Sequence, residues 1–193
     1  LMYAIQFGPT NFLLSSRANE NSEILYDRSP KERVQKVAPW LTLDDDVYPV
    51  VISGRIQWVV DGYTTTDRYP YAETAVSPGT ADSGLNTKFN YVRNSVKATV
   101  DAYDGTVKFY VVDDTDPLAR AYTKQFPDVF LPRSSMPAGL EEHFRYPEDL
   151  FRVQTSMWGR YHVSPDNPAG FYQQNDSWNV AQDPGIESST AAP

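Results

Sequence analysis

Ser95-Val96-Lys97-Ala98-Thr99-Val100-Asp101-Ala102-Tyr103-Asp104-Gly105-Thr106-Val107-Lys108-Phe109-Tyr110-Val111-Val112-Asp113 is the stretch whose reading decides the fold class. Two runs rich in β-branched and aromatic residues flank Asp104-Gly105, a pair suited to the left-handed backbone of a type I′ turn. A two-residue turn there predicts Ala102 opposite Val107, Val100 opposite Phe109 and Ala98 opposite Val111 on one face. Asp101 opposite Lys108, Thr99 opposite Tyr110 and Lys97 opposite Val112 then share the other face. This register gathers apolar side chains together and sets unlike charges across from one another.

A second hairpin lies upstream. Val47, Pro49 and Val51, then Ile56, Trp58 and Val60, alternate across Ser53-Gly54, which predicts Val51 opposite Ile56 and Val47 opposite Val60. Pro49 has no amide hydrogen, so its strand belongs at a sheet edge. Such an edge offers a route to a homo-oligomer. Tyr63 to Asn90 is rich in Thr, Ser, Gly, Pro and Tyr, and is too long for a tight connection.

Helix signals surround the hairpins. Ser29-Pro30-Lys31-Glu32 reads as a capped start with an inward stripe of Val34, Val37 and Ala38. Asp116-Pro117 opens a second helix that runs through Phe126 to Pro127. Pro147-Glu148-Asp149 opens the longest, with Leu150, Val153, Met157, Trp158 and Tyr161 as its buried stripe. Asn167-Pro168 begins a short last helix, and Leu1 to Ser16 reads as two helical turns broken at Gly8-Pro9. The order predicts an α+β fold: one domain over residues 1–183, an antiparallel sheet of two β-hairpins with helices packed on one face, and a disordered tail at 184–193.

The 193 residues carry a formal charge of −8, which repels phosphate backbones and argues against nucleic-acid binding. The absence of cysteine removes disulfides, zinc ribbons, iron–sulfur clusters and thiol nucleophiles. No run approaches the roughly 20 apolar residues of a membrane span. Leu1-Met2-Tyr3-Ala4-Ile5 starts inside an apolar segment with no charged leader before it, as expected of a piece of a longer protein.

No familiar catalytic pattern emerges. His143 and His162 have no metal-ligand spacing, and Ser156 shares no helix face with His162. There is no G-x-S-x-G elbow, P-loop or G-x-G-x-x-G. Asp44-Asp45-Asp46 and Asp113-Asp114-Thr115-Asp116 lack the alternating oxygens of a calcium loop, so Asp116 reads as a cap and Asp44 to Asp46 as a solvated turn. No cofactor, metal or catalytic residue is therefore expected. The ligand candidates are Trp58, Asp61, Tyr63, Asp67, Arg68, Tyr69 and Tyr71, since flat rings beside directional polar groups line glycan and peptide grooves. The competing reading is a strand end whose tyrosines pack on helices and whose Asp67 and Arg68 pair locally. Trp158, Tyr161, Phe171, Tyr172 and Trp178 are expected in the core.

Three blocks together carry a resemblance. They are Tyr48-Pro49-Val50-Val51 with Gly54 to Thr65 and Arg68-Tyr69-Pro70-Tyr71; Asn90 to Lys97 with Val100 to Gly105; and Pro147 to Gln154 with Tyr161-His162 and Phe171-Tyr172. In that order the chain resembles an uncharacterised bacterial multi-pass membrane-protein family of actinobacteria and cyanobacteria. The resemblance implies a bundle of about seven transmembrane helices followed by a long extracytoplasmic region, of which this chain would be a soluble part. It implies a cell-membrane location on the extracytoplasmic face, and the protein's own transmembrane region as first partner. The expected role is non-enzymatic, in assembly, sensing or envelope interaction, with an envelope glycan- or peptide-binding domain or enzyme using residues 58–71 as the alternative. It carries over no catalytic residues.

Overall fold

Ser53 and Gly54 both take positive φ, 50° and 76°, as a two-residue type I′ turn requires. They join β2 (Tyr48–Ile52) to β3 (Arg55–Thr66) with Val51 opposite Ile56 and Pro49 opposite Trp58. This computed structural model describes residues 19, 26–75, 84–85, 88–164, 166–175 and 177–181. The expected N-terminal turns at Leu1 to Ser16 and the 184–193 tail lie outside the described residues.

Among the described residues six strands form one mixed sheet. β3 is central: β1 (Thr42–Leu43) and β2 share one of its edges, and β4 (Tyr91–Asp101) pairs along the other. β5 (Val107–Val111) follows antiparallel to β4, and β6 (Phe130–Pro132) closes the sheet parallel to β5. Pro49 sits on an edge strand, where its missing donor leaves no gap in the ladder. The short β6 carries too few residues for any period to show, and sequence reading missed it.

The second hairpin departs from expectation. Val100 pairs with Val107, Ala98 with Phe109 and Val96 with Val111, two residues away from the predicted register. Asp101 is the reason. Its Oδ1 accepts from the amides of Tyr103 (2.8 Å) and Asp104 (3.2 Å), drawing four residues into the turn. Gly105, at φ 73°, closes it, with its carbonyl bonded to Arg33 and its Cα face pressed against that guanidinium. A shift of two keeps each side chain on its predicted face, so the face assignment survives but Asp101 opposite Lys108 does not.

Both sheet faces are covered. On the first, α1 (Pro30–Val37) and α2 (Pro117–Gln125) pack with Val34, Ala38, Leu41 and Leu43 against Val60, Val96, Ala98, Val100, Phe109 and Phe130. Ser29 stands at the N-terminus of α1 without a side-chain cap, so the expected capping box does not form, and Val37 faces solvent. On the second face Tyr48, Val50, Ile52, Val59 and Tyr110 meet Leu140. The alternation of β2 is therefore the reverse of the one read from Val47, Pro49 and Val51: Tyr48, Val50 and Ile52 are inside.

The helix α3 (Glu148–Tyr161) and the short α4 (Pro168–Gln173) complete the element list, with 3₁₀ turns at Arg133–Ser135 and Glu141–His143. Only the first half of α3 docks on the sheet, where Val153 and Leu150 meet Tyr63, Leu85 and Phe89. Met157, Trp158 and Tyr161 face outward instead of forming a buried stripe, and Tyr172 and Trp178 are exposed as well. Gly159 is buried in their place because the chain crosses there. The Trp178 amide bonds the Gly159 carbonyl at 3.2 Å, and a Cβ on Gly159 would lie 2.1 Å from the Trp178 carbonyl oxygen.

Candidate functional site

The candidates on β3 divide by position. Trp58 is half-buried against the first-face core, while Asp61 and Tyr63 are sealed inside the sheet, 2 % and 0 % exposed. Beyond the strand end Asp67 and Arg68 are exposed and face each other at 3.8 Å. Tyr69 stacks on Tyr91 with ring centres 5.6 Å apart, and Tyr71 is fully exposed at φ 60°. The Asn90 side chain holds this turn through the Tyr69 amide (2.9 Å) and carbonyl (2.8 Å). The seven do not converge on one pocket: Asp61 and Tyr63 belong to the interior, and Asp67 to Tyr71 to a surface turn.

Asp61 finds its partner directly across the ladder, where β3 and β4 set it opposite Lys97 on the second face. The two form a buried ion pair. Lys97 also donates to the Arg145 carbonyl at 3.3 Å and lies 5.2 Å from the centre of the Phe144 ring. A cleft of about 450 Å³, lined in part by Arg93, Lys97, Phe144, Arg145 and Leu150, opens beside this pair. Burial pushes the Asp61 carboxyl upward, and the Lys97 charge opposes that shift.

Three further carboxylates, Asp116, Asp44 and Asp149, are sealed in the interior. Asp116 caps α2 through the Leu118 amide (3.0 Å), as the Asp-Pro pair predicts, but it is wholly buried. It also accepts hydroxyls from Thr64 (2.5 Å), Ser95 (2.5 Å) and Tyr91 (2.6 Å). Burial alone would raise its pKa, but the hydroxyl and amide donors outweigh that and hold it below the usual carboxylate range. Asp44, read from sequence as part of a solvated turn, is 1 % exposed. It accepts from the Tyr63 hydroxyl and from the amides of Asp46 (2.8 Å) and Asp149 (3.1 Å). Asp149 in turn accepts the Gly84 amide at 2.9 Å, tying the start of α3 to the 84–85 segment. Burial and the Asp44 carboxylate push the Tyr63 hydroxyl far above its ordinary value.

Chemically, these groups are cross-links. Asp44 and Asp116 accept from donors of the chain itself, Asp61 is ion-paired with Lys97, and Lys97 also meets one carbonyl and one ring face. Nucleophiles and general bases need reach to a reacting atom, whereas the Asp44, Asp61 and Asp116 carboxylates are buried. His162 Nδ1 lies 2.8 Å from the Gly159 carbonyl, and its ring stacks on Trp178. Among the described residues no three His, Cys, Asp or Glu side chains gather where they could hold a metal ion.

Asp101 sets a pH dependence. Arg55 grips it with two bonds of 2.8 Å and, with the turn amides, holds its pKa at about 2. Its folded value lies below its unfolded one, so its stabilisation is present above the unfolded pKa and is lost as pH falls toward the folded value. Asp104, Asp113 and Asp116 shift in the same direction. Asp61 has the opposite sign: its contribution is complete in acid and lost as pH rises through its raised value. Thermal melting should therefore fall steeply between about pH 4 and about pH 2, with a shallower fall in Asp101→Asn. An Asp101→Asn profile parallel to that of the parent would contradict this assignment.

Fold and interior together define a class: an α+β domain on a six-stranded mixed sheet whose polar cross-links are buried carboxylates. The chain belongs to the uncharacterised protein family UPF0182, whose family model matches residues 1–193. It is 49 % identical over 201 residues to a UPF0182 protein of Mycobacterium sp. (strain JLS), which covers 100 % of this chain and 20 % of that protein. A UPF0182 protein of Paenarthrobacter aurescens (strain TC1) is 47 % identical over 203 residues with the same coverage. One of Frankia alni (strain ACN14a) is 50 % identical over 194 residues, covering 95 % of this chain and 19 % of the relative. The chain thus spans about a fifth of the length of the curated relatives it matches. No solved structure matches it.

Proposed function

We propose that this chain is an extracytoplasmic domain of an integral membrane protein, acting in assembly, sensing or envelope interaction rather than in catalysis, with its own transmembrane region as first partner. The observation that carries the non-catalytic part is the occupancy of the buried charges. Lys97, Asp61, Asp44 and Asp116 are each engaged by groups of the same chain, which makes them framework. Support for a longer protein comes from length, since the matched region is 20 % of the Mycobacterium relative. Among the described residues no helix is long and apolar enough to cross a membrane.

The chain has no cysteine, and Tyr103 at the hairpin tip is 89 % exposed. Tyr103→Cys placed in the full-length protein therefore gives a reporter whose labelling is read against the same protein without it. A membrane-impermeant maleimide should label the variant in intact cells. Labelling only after the cells are opened would overturn the extracytoplasmic assignment.

A further inference from the structure

β5 and β6 run parallel, so their carboxyl ends emerge side by side, with α2 crossing between them in sequence. A cavity of about 580 Å³ opens at that end, within the range of small-molecule sites. Its floor is apolar, made by Val111 and Phe130, and its rim carries Arg120, Lys124 and Arg133 against the single carboxylate of Asp114. Arg133 is paired with Glu141. Arg120 and Lys124, four residues apart on α2, have no ion-pair partner among the described residues. In a chain of net charge −8, two uncompensated cations over an apolar floor are a local reversal of sign.

We infer that this cavity binds an amphipathic anion: a carboxylate or phosphate head held by Arg120 and Lys124, with its apolar body against Val111 and Phe130. A guanidinium and an ammonium on one helix face supply charge-assisted donors from one side, which suits a compact head group. The apolar floor contributes by excluding water from the body of the ligand. Asp114, also exposed at the rim, repels an anionic head, which favours the Arg120 and Lys124 side. The inference is independent of where in the cell the chain resides.

The test titrates the 193-residue chain with decanoate, decyl phosphate and the neutral control decanol, all below their aggregation limits, by isothermal calorimetry. Decanoate or decyl phosphate should bind at least tenfold more tightly than decanol. Arg120→Ala/Lys124→Ala should lose that preference while melting at the parent temperature, since both side chains are exposed. A parallel sedimentation with phosphatidylglycerol vesicles separates the sources: parent-only co-sedimentation assigns the head group to a bilayer lipid, and anion binding without it to a free amphiphile. Equal affinity for decanol, no binding of either anion, or unchanged binding by the double variant would overturn the site.

Discussion

Asp116→Ala is expected to destabilise the fold by about 3–5 kcal/mol in urea unfolding, because one carboxylate serves four donors. Its removal strands the hydroxyls of Thr64 and Ser95 in the dry interior, releases Tyr91, and uncaps α2 at Leu118. A lost helix cap alone would account for about 1 kcal/mol, so the size of the effect separates a cap from a hub. Asp116→Asn keeps the shape and one accepting oxygen and should fall between the alanine variant and the parent. A loss of only about 1 kcal/mol in the alanine variant would mean that the three hydroxyls find other acceptors.

The second large effect belongs to Lys97. Lys97→Met leaves Asp61 without its counter-charge on the inner face of β3, and removing one partner of a buried pair typically costs about 3–5 kcal/mol. Adding Asp61→Leu removes the stranded charge, and the double variant should recover most of the loss, since an apolar pair of similar volume can replace a buried ion pair with little penalty. The two substitutions are thus expected to be strongly non-additive, measured as a double-mutant cycle. Additive losses would show that Asp61 and Lys97 do not act as one unit.

Much of this interior was visible locally and invisible in combination. Asp116 reads as a cap from the Asp-Pro pair, and that part is observed. Its other partners, Thr64, Ser95 and Tyr91, sit on β3 and at the start of β4, and no spacing rule connects them to residue 116. Asp61 and Lys97 each interrupt an apolar run with a charge, and opposite signs in two strands are the signal that could have joined them. Reading it requires knowing that the two hairpins lie side by side through β3 and β4, a pairing that neither hairpin contains. Asp44 illustrates the opposite failure: three consecutive aspartates look solvated, and only the approach of Tyr63 and the start of α3 shows that the first of them is enclosed.

The register of the second hairpin turned on a competition that composition does not rank. Asp104-Gly105 favours a two-residue turn, but the Asp101 carboxylate, held by Arg55 from the other hairpin, takes the turn amides and widens the loop. The aromatic residues of α3 diverged for a related reason. Their periodicity is helical, but only the first half of the helix docks on the sheet, so Met157, Trp158 and Tyr161 stay about half exposed or more.

By itself the sequence determined the α+β class, the Ser53-Gly54 turn with its register, the edge position of Pro49, and the starts of the three main helices. Each depends on backbone constraints acting within a few residues: positive φ, a missing amide hydrogen, an unsatisfied helix terminus. Only the tertiary structure decided which carboxylates are buried, how the second hairpin closes, and that Arg120 and Lys124 overhang an apolar cavity beside a parallel strand pair. Those outcomes depend on which distant segments meet, because the energy of a buried charge is set by its neighbours in space rather than by its neighbours in the chain.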